Sequence, residues 1–490
     1  MAPLSLSHSI SHWRRCVCAL VASCALPALA QPAPLAPETL PPAVNAALAQ
    51  ARVPASALAV LVMDAGDDAR VYATHRAQAP VNPASVMKLV TTYAALDLLG
   101  PGHTWTTPVY TDGPVKDGVL QGHLYLQGGG DPKLVTERLW LLMRRIQGLG
   151  IRRITGDIVL DRRAFQLPPV DPGAFDGEPL RPYNASPDAL LLNFKSVVMT
   201  FSPDPASGVA QVAVEPPLGG VALPASVPLA PIGNGNGNGC GDWRGGLKAD
   251  FSDPLRIRLA GAYPAACGER SWPVAYAAPE RFAERAVLGM WQAVGGQLDG
   301  QVRDGAVPAG LSPRLVWPSV PLPEVVRDIN KFSNNVMAQH LLLSLALNTS
   351  NGPATFDAAR QRVATWWRER VGADVPLPDV DNGAGLSRTA RTTAQALGRL
   401  LRTAYASGHM PELMASLPLS GHDGTLRRSQ NAVGLAHLKT GSLNDVSALA
   451  GYVHGAQGRR LVFVAIVNHP NAHAARPALQ ALLAWAAGQP

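Results

Sequence analysis

The spacing of hydrophobic positions changes character along this chain. Residues 43–52 have the apolar spacing of a short helix. Leu58–Met63 and Arg70–Ala73 read as strands joined by a turn at 64–68. Apolar positions at 86, 89, 90, 93, 96 and 99 then predict a buried helix that closes at Gly100, with Pro83 near its start and Ser85 at its N-terminus. From about 106 to 317 the pattern is one of many short strand-like runs and few helices, with turn signals such as Gly128-Gly129-Gly130-Asp131-Pro132. Helical periodicity returns at Val336–Leu347, Ala354–Val371, Thr392–Ala406 and Arg476–Ala487. Between the last two lie a strand at Leu435–Thr440 and a hairpin of Val446–His454 with Arg460–Asn468. Helices before and after an antiparallel sheet predict an α+β domain built from both chain ends, residues 31–105 and 318–490. Residues 106–317 are then an inserted, mostly β region of two nested domains, the inner one at about 200–275.

Composition supports real cores. The 490 residues are long for one domain, and 47% hydrophobic against 16% charged residues excludes a disordered tail protein. Gly 46 and Pro 44 follow no short period, which excludes a collagen-like repeat. A net charge of +7 invites a nucleic-acid reading, but the basic residues are spread along the chain and no nucleic-acid partner is expected. A mild positive excess suits a protein working beside an anionic polymer, or in weak association with a membrane surface.

The N-terminus carries part of that charge. Arg14 and Arg15 precede an apolar run that ends in Ala28-Leu29-Ala30, the pattern of a cleaved secretory signal over residues 1–30. The run is too short to span a bilayer, so the mature protein is expected in the periplasm. A lipoprotein reading at Cys24 is weaker, because the residues before it lack the preferred Leu. Three of the five cysteines lie in this segment. Cys240 and Cys267 remain, and in an oxidising compartment a disulfide is the simplest expectation against two free thiols.

Lysine is scarce, seven of the 42 basic residues, and only Lys88 has a serine three positions before it. On a helix that spacing puts both side chains on one face, so the Lys88 amine can take the Ser85 proton. Alone, the pair is a common chance match, and a capping serine beside a solvated lysine explains it equally well. Ser333-Asn334-Asn335 before an apolar helix offers a hydroxyl and an amide side by side. Lys439-Thr440-Gly441 at the end of an edge strand offers a carboxylate partner where glycine lets a peptide approach. The three occur in the order S-x-x-K, S-x-N, K-T-G, which makes chance a poor explanation. No P-loop is present, and His469 and His473 lack a third ligand at metal spacing, so neither cofactor nor metal is expected.

With these motifs the chain resembles the class C low-molecular-mass penicillin-binding proteins, the D-alanyl-D-alanine carboxypeptidase/endopeptidases. Gly129-Gly130-Asp131-Pro132, Gly385-Leu386-Ser387-Arg388, Gly421-His422-Asp423-Gly424-Thr425-Leu426 and Lys439-Thr440-Gly441-Ser442-Leu443 extend the likeness over nearly the whole mature chain. The 248 positions from Ser85 to Ser333 fit a family with domains inserted between those motifs. Two departures are small: Asn334 stands where β-lactamases usually carry Asp, and Ala384 where the family often carries Ser.

The resemblance implies a serine penicillin-binding/β-lactamase-like transpeptidase domain and a hydrolase of D-Ala-D-Ala termini and D-Ala-meso-diaminopimelate cross-links in peptidoglycan. In it Ser85 attacks, Lys88 is the base, and the backbone N–H groups of Ser85 and Ser442 form the oxyanion hole. Ser333 and Asn335 relay a proton and anchor the peptide, and Lys439 and Thr440, beside Gly441, bind the terminal carboxylate. Arg388 and Asn444 line the cleft. Glu178, in Asp176-Gly177-Glu178, is the expected partner for the diaminopimelate amine. Peptidoglycan stem peptides are then substrates and β-lactams covalent inhibitors. The alternatives are a serine β-lactamase or esterase, which needs a deacylation base that no E-x-x-L-N segment supplies here, and a non-catalytic peptidoglycan-binding scaffold, which has no use for a base beside a nucleophile.

Overall fold

Strands that are apolar at nearly every position must be covered on both faces, and residues 58–64, 446–454 and 460–468 are buried in this way. The computed structural model describes residues 40–66, 70–230, 240–347 and 352–489. The expected signal segment, Cys24 and part of the 64–68 turn lie outside them. Within them, β1 (Leu58–Asp64), β2 (Val71–His75), β3 (Ala436–Leu443), β4 (Val446–His454) and β5 (Arg460–Asn468) form an antiparallel sheet in the order β3-β4-β5-β1-β2. Val60 lies opposite Ala465 on one side and His75 on the other, so the two ends of the chain meet in the middle of the sheet.

Successive side chains point to opposite faces, which separates two cores. Leu61, Ala450, Tyr452 and Val464 join one. It is completed by helices α2 (Lys88–Leu99), α3 (Leu322–Phe332), α4 (Asn335–Ser344), α5 (Phe356–Trp367) and α6 (Ala394–Tyr405). Val60, Leu449, Phe463 and Ala465 join the other, under the first helix, α1 (Pro42–Gln50), and the C-terminal helix Arg476–Ala487. The expected α+β class is therefore observed, as a sheet between two helical layers.

Residues 106–318 contain a five-stranded mixed sheet in which 315–318 pairs with 106–111, so the segment begins and ends on adjacent strands. A separate sheet of 226–228, 209–215, 196–204 and 270–275 lies further in. One continuous core, with Leu142, Ile158, Phe201 and Trp291, runs through both. Two helices here, Thr136–Gly148 and Phe282–Ala293, were not singled out among the few expected in this stretch. Both carry apolar residues at helical spacing, Leu139, Leu142, Met143 and Ile146 in the first and Phe282, Ala286, Val287 and Met290 in the second, so the signal was present in the sequence.

Cys240 and Cys267 are joined, with their Cα atoms 4.6 Å apart. Cys267 is buried, although the Gly and Pro around it suggest exposure. Closing a loop of 27 positions stabilises by roughly 3 kcal/mol in the chain-entropy model. Cys240→Ser with Cys267→Ser should accordingly raise amide exchange across 196–275 while the five-stranded sheet keeps its protection. Equal loosening of both regions would show that the cross-link does not act locally.

His340, in the middle of α4, fastens the two regions together. It is fully buried, one ring nitrogen 3.2 Å from the Gly130 carbonyl and the other accepting the Asp188 N–H at 3.1 Å. This pairing needs the neutral ring, and burial pushes its pKa down to about 4. The helix that starts at Asn335 is thus held by the backbone of two segments, the Gly129-Gly130-Asp131 turn and the one at Asp188.

Candidate active site

Ser85 owes its position to Asn82. The Asn82 side chain accepts the Ala84 N–H at 2.9 Å and donates to the Ser387 carbonyl at 2.9 Å. Its backbone exchanges two hydrogen bonds, 2.7 and 2.9 Å, with the side chain of Asn468 at the end of β5. The turn is tight enough to hold Ala84 at φ +46°, a region costly for any residue with a side chain. Ser85 then sits in a 3-10 turn, Ala84–Met87, and the α-helix proper begins only at Lys88. In a 3-10 turn residues i and i+3 eclipse, so Lys88 stands directly against Ser85.

The Lys88 amine is 2.9 Å from Ser85 Oγ, 2.7 Å from Asn335 Oδ1 and 2.5 Å from the Ala384 carbonyl oxygen. A neutral amine has two N–H donors and one lone pair. The two acceptors take the donors, which leaves the lone pair to Ser85. Burial, and then the charge of Lys439, hold the Lys88 pKa well below its ordinary 10.5, so the neutral form is favoured. The Ala384 carbonyl is a member of this set that side-chain reading could not find, and because it acts through its backbone, Ala in place of Ser leaves it intact.

Ser333 is the left-handed C-cap of α3, at φ +59°, and Asn334 is the N-cap of α4, its side chain accepting the Met337 N–H at 3.1 Å. Asp and Asn cap equally well, which accounts for Asn at this position. Asn335 follows as the first helical residue and donates to the Tyr183 carbonyl at 3.0 Å. Lys439 is fully buried, 2.9 Å from Ser333 Oγ and 2.8 Å from the Thr440 carbonyl. Burial brings its pKa down to about 7. Ser85, Lys88, Asn335 and the pair Ser333–Lys439 thus converge from α2, α3, α4 and β3.

The sign of the lysine effect on stability is fixed. An unfolded Lys439 holds its proton up to 10.5 and the folded one only to about 7, so between those values the unfolded chain binds more protons. Stability contributed by this residue rises with pH across that window. The melting temperature of the wild type should therefore gain on that of Lys439→Met from pH 7 to pH 9; a constant difference would mean that Lys439 keeps its proton in the folded chain.

The K-T-G-S segment does not end its strand, as expected, but continues β3 to Leu443. β3 is the edge of the sheet, so one side of its backbone is open to an added peptide strand. A Cβ on Gly441 would lie 2.5 Å from the Pro83 carbonyl, so only glycine lets β3 pass so close to the Ser85 turn. Behind it, Lys331 bridges the Leu417 carbonyl and Asp423, both at 2.6 Å, which braces α3 against the 421–426 turn. Thr425 in turn meets Thr440, Oγ1 to Oγ1, at 2.8 Å.

Arg388 is placed apart from this group. Its guanidinium stacks 4.4 Å above the Phe175 ring and lies 3.9 Å from Asp445, next to the exposed Asn444. Both Arg388 and Phe175 line a cleft of about 760 Å³ together with Asn184, Lys195 and Asp381. Glu178 is exposed and paired with Arg181 at 3.3 Å. Asp176 organises the segment, accepting from Tyr183 Oη and from Asn184, each at 2.8 Å. Desolvation pulls its pKa up, but these hydrogen bonds outweigh it and the net shift is downward.

Comparison with known proteins finds relatives over most of the chain. Residues 40–489 match the model of the D-Ala-D-Ala carboxypeptidase 3 (S13) family. The D-alanyl-D-alanine carboxypeptidase of Actinomadura sp. (strain R39) is 31% identical over 443 residues, 87% of this chain and 80% of that protein. D-alanyl-D-alanine carboxypeptidase DacB of Haemophilus influenzae is 24% identical, over 79% of this chain and 80% of the other. The crystal structure of penicillin binding protein 4 (dacB) from Haemophilus influenzae shares the fold at a TM-score of 0.66 and 22% identity, covering 84% of this chain and 90% of that one. The same protein has been solved with a β-lactam bound, and that structure matches at a TM-score of 0.64. A family match over residues 40–489, with a relative 31% identical over most of both chains, makes the chain a member of the D-Ala-D-Ala carboxypeptidase S13 family.

Proposed function

We propose that Ser85 is the nucleophile and Lys88 the base of a serine D-Ala-D-Ala carboxypeptidase that also opens D-Ala-meso-diaminopimelate cross-links. The observation that carries this reading is the buried Lys88 amine, its pKa held well below the ordinary 10.5, which lies 2.9 Å from Ser85 Oγ with the Asn335 and Ala384 oxygens as its other two partners. Ser85 Oγ attacks the carbonyl carbon of the penultimate D-Ala as Lys88 takes its proton, and the N–H groups of Ser85 and Ser442 receive the developing oxyanion. Lys88 gives up that proton, and Ser333, hydrogen-bonded to Lys439, delivers one to the departing amine, which leaves Lys88 neutral again. Water then enters and attacks the acyl carbon, Lys88 takes its proton and returns it to Ser85 Oγ as the acyl group leaves. Asn335 holds the acyl-side peptide, and Thr440 and Lys439 the terminal carboxylate.

Penicillins enter the same route and stop at the acyl-enzyme. Labelled penicillin added to the purified protein should stay attached, and digestion should place the label on the peptide containing Ser85. Rapid release would indicate a β-lactamase; no label would indicate a scaffold. The enzyme works on the cell wall, and we place it in the periplasm after removal of residues 1–30. Residues 106–317 are, in this reading, inserted domains that build one wall of the substrate cleft.

Recognition of the stem peptide falls to the cleft at Arg388. Its planar fork suits the diaminopimelate carboxylate. Two acids could take the amine: Glu178, whose carboxylate already faces Arg181, and Asp176, which neighbours the ring on which Arg388 stacks. A charged hydrogen bond contributes roughly 1.5 to 3 kcal/mol. Arg388→Ala should therefore lower kcat/KM on cross-linked muropeptides relative to the rate of penicillin acylation by about 10-fold or more. The same ratio measured for Glu178→Ala and Asp176→Asn identifies the acid. A ratio unmoved by Arg388→Ala would remove the arginine from stem recognition.

A further inference from the structure

The helix Thr136–Gly148 is apolar on two sides. Leu139, Leu142, Met143 and Ile146 are buried in the core of the inserted region, which satisfies its inner face. On the outer side Trp140 is 46% and Leu141 43% exposed, and among the described residues Trp140 is the one exposed tryptophan. Residues three and four apart on a helix are neighbours, so this side carries two rows, Arg138-Leu141-Arg145 and Glu137-Trp140-Arg144. The first row continues onto the strand at 315–318. The Arg138 guanidinium lies 5.3 Å from the centre of the Trp317 ring and donates to the Pro318 carbonyl. That strand is an edge of its sheet, and its Val316 is 48% exposed.

Apart from Glu137, the charge on this surface is of one sign. Arg144, Arg145 and Arg314 are exposed. Arg144 donates to the neutral Gln147 at 2.9 Å, and none of the three forms an ion pair with a described residue. Asp131, the acid whose charge reaches Arg138, is buried and adds nothing negative at the surface.

We propose that this face, the helix Thr136–Gly148 with the 315–318 strand, is a docking surface for an anionic lipid bilayer. Trp140, Leu141 and Val316 enter the interfacial layer, where the amphipathic tryptophan ring is favoured. Arg144, Arg145 and Arg314 meet the lipid phosphates. The aliphatic members decide between a bilayer and a glycan. A sugar polymer offers hydroxyls and amides, which Leu141 and Val316 cannot hydrogen-bond, whereas a bilayer takes both side chains out of water. Three shallow insertions beside three cations give reversible attachment, in a chain whose described residues include no helix long and apolar enough to cross a membrane. Such docking does not depend on the chemistry at Ser85, and it gives the positive excess of the chain a definite place.

The test sediments the mature protein with vesicles of phosphatidylglycerol and phosphatidylcholine, and with vesicles of phosphatidylcholine alone. The protein should bind the first and not the second, and rising salt should release it. Each cation at such a surface contributes roughly fivefold in partitioning, so Arg144→Gln with Arg145→Gln should weaken binding by roughly 25-fold, while Arg144→Lys with Arg145→Lys keeps it. Trp140→Ser with Leu141→Ser should weaken binding in the same assay, and its melting temperature, unchanged from the wild type, serves as the fold control. Wild type that stays in solution beside the anionic vesicles, or vesicle binding that survives both the Gln and the Ser double substitutions, would overturn the assignment. Purified peptidoglycan sacculi are the third arm. Binding to sacculi that the Ser double substitution abolishes, with vesicle binding untouched, would give the face to the glycan and overturn the bilayer.

Discussion

Lys88→Arg is expected to lower penicillin acylation and D-Ala release by roughly 10²- to 10⁴-fold, the range that a positioned general base contributes. The substitution keeps the positive charge and much of the length, so what it removes is the capacity to be neutral. The amine of Lys88 fits a three-cornered site of Ser85 Oγ, Asn335 Oδ1 and the Ala384 carbonyl, whose two acceptors require two donors and no more. A guanidinium brings five N–H groups and no lone pair to the same place. The measurement is the rate of covalent labelling under excess penicillin, with circular dichroism and the melting temperature as the fold control. A folded Arg variant that labels at near the wild-type rate would show that Ser85 gives its proton to some other group.

Gly385→Ala is expected to damage the same step from outside the set of reacting side chains. Gly385 lies at φ +72°, and a Cβ built on it would stand 1.9 Å from the carbonyl oxygen of Ala84. That atom is backbone and has no rotamer to escape into, so either the 384–388 loop or the Ser85 turn must move. The first carries the Lys88 acceptor at Ala384, and the second carries Ser85. Holding a non-glycine residue in this conformation costs about 1 to 3 kcal/mol, and a displacement near 1 Å at a reacting group costs roughly 100-fold in rate. Both the melting temperature and the acylation rate should fall. A lower melting temperature with unchanged acylation would mean that the loop yields and the Ser85 turn does not.

Much of this was legible in the sequence because it depends on side-chain identity at fixed spacing. Ser85 and Lys88 are three apart, and the eclipsed turn brings them together. The strands at 446–454 and 460–468 are apolar enough to be read with the boundaries they have. What stayed hidden acts through the backbone or across long separations. The Ala384 and Tyr183 carbonyls reach Lys88 and Asn335 as main-chain oxygens, which any residue supplies. Asn82 and Asn468 are 386 positions apart, and no local pattern links them. α3 was overlooked although its apolar stripe of Leu322, Val325, Val326 and Ile329 is regular, because the segment opens among prolines. Asp176 and Glu178 share one short loop, and only the direction of each carboxylate separates their roles.

The meeting of the chain's two ends in the middle of one sheet has a consequence for how the enzyme comes into being. β1 pairs with β5, across some 400 positions, and the Ser85 turn is pinned to the last residue of β5. During synthesis Ser85 and Lys88 emerge early, three apart in one turn, but the partners that hold that turn, Ser387 and Asn468, come 305 and 386 positions after Asn82. Contacts of such long range form slowly, since the loop between them must close first. The surroundings of Ser85 are therefore completed late, after nearly the whole chain is present. A chain halted before residue 468, whatever else it has folded, lacks the side chain that holds the Asn82 backbone beside Ser85.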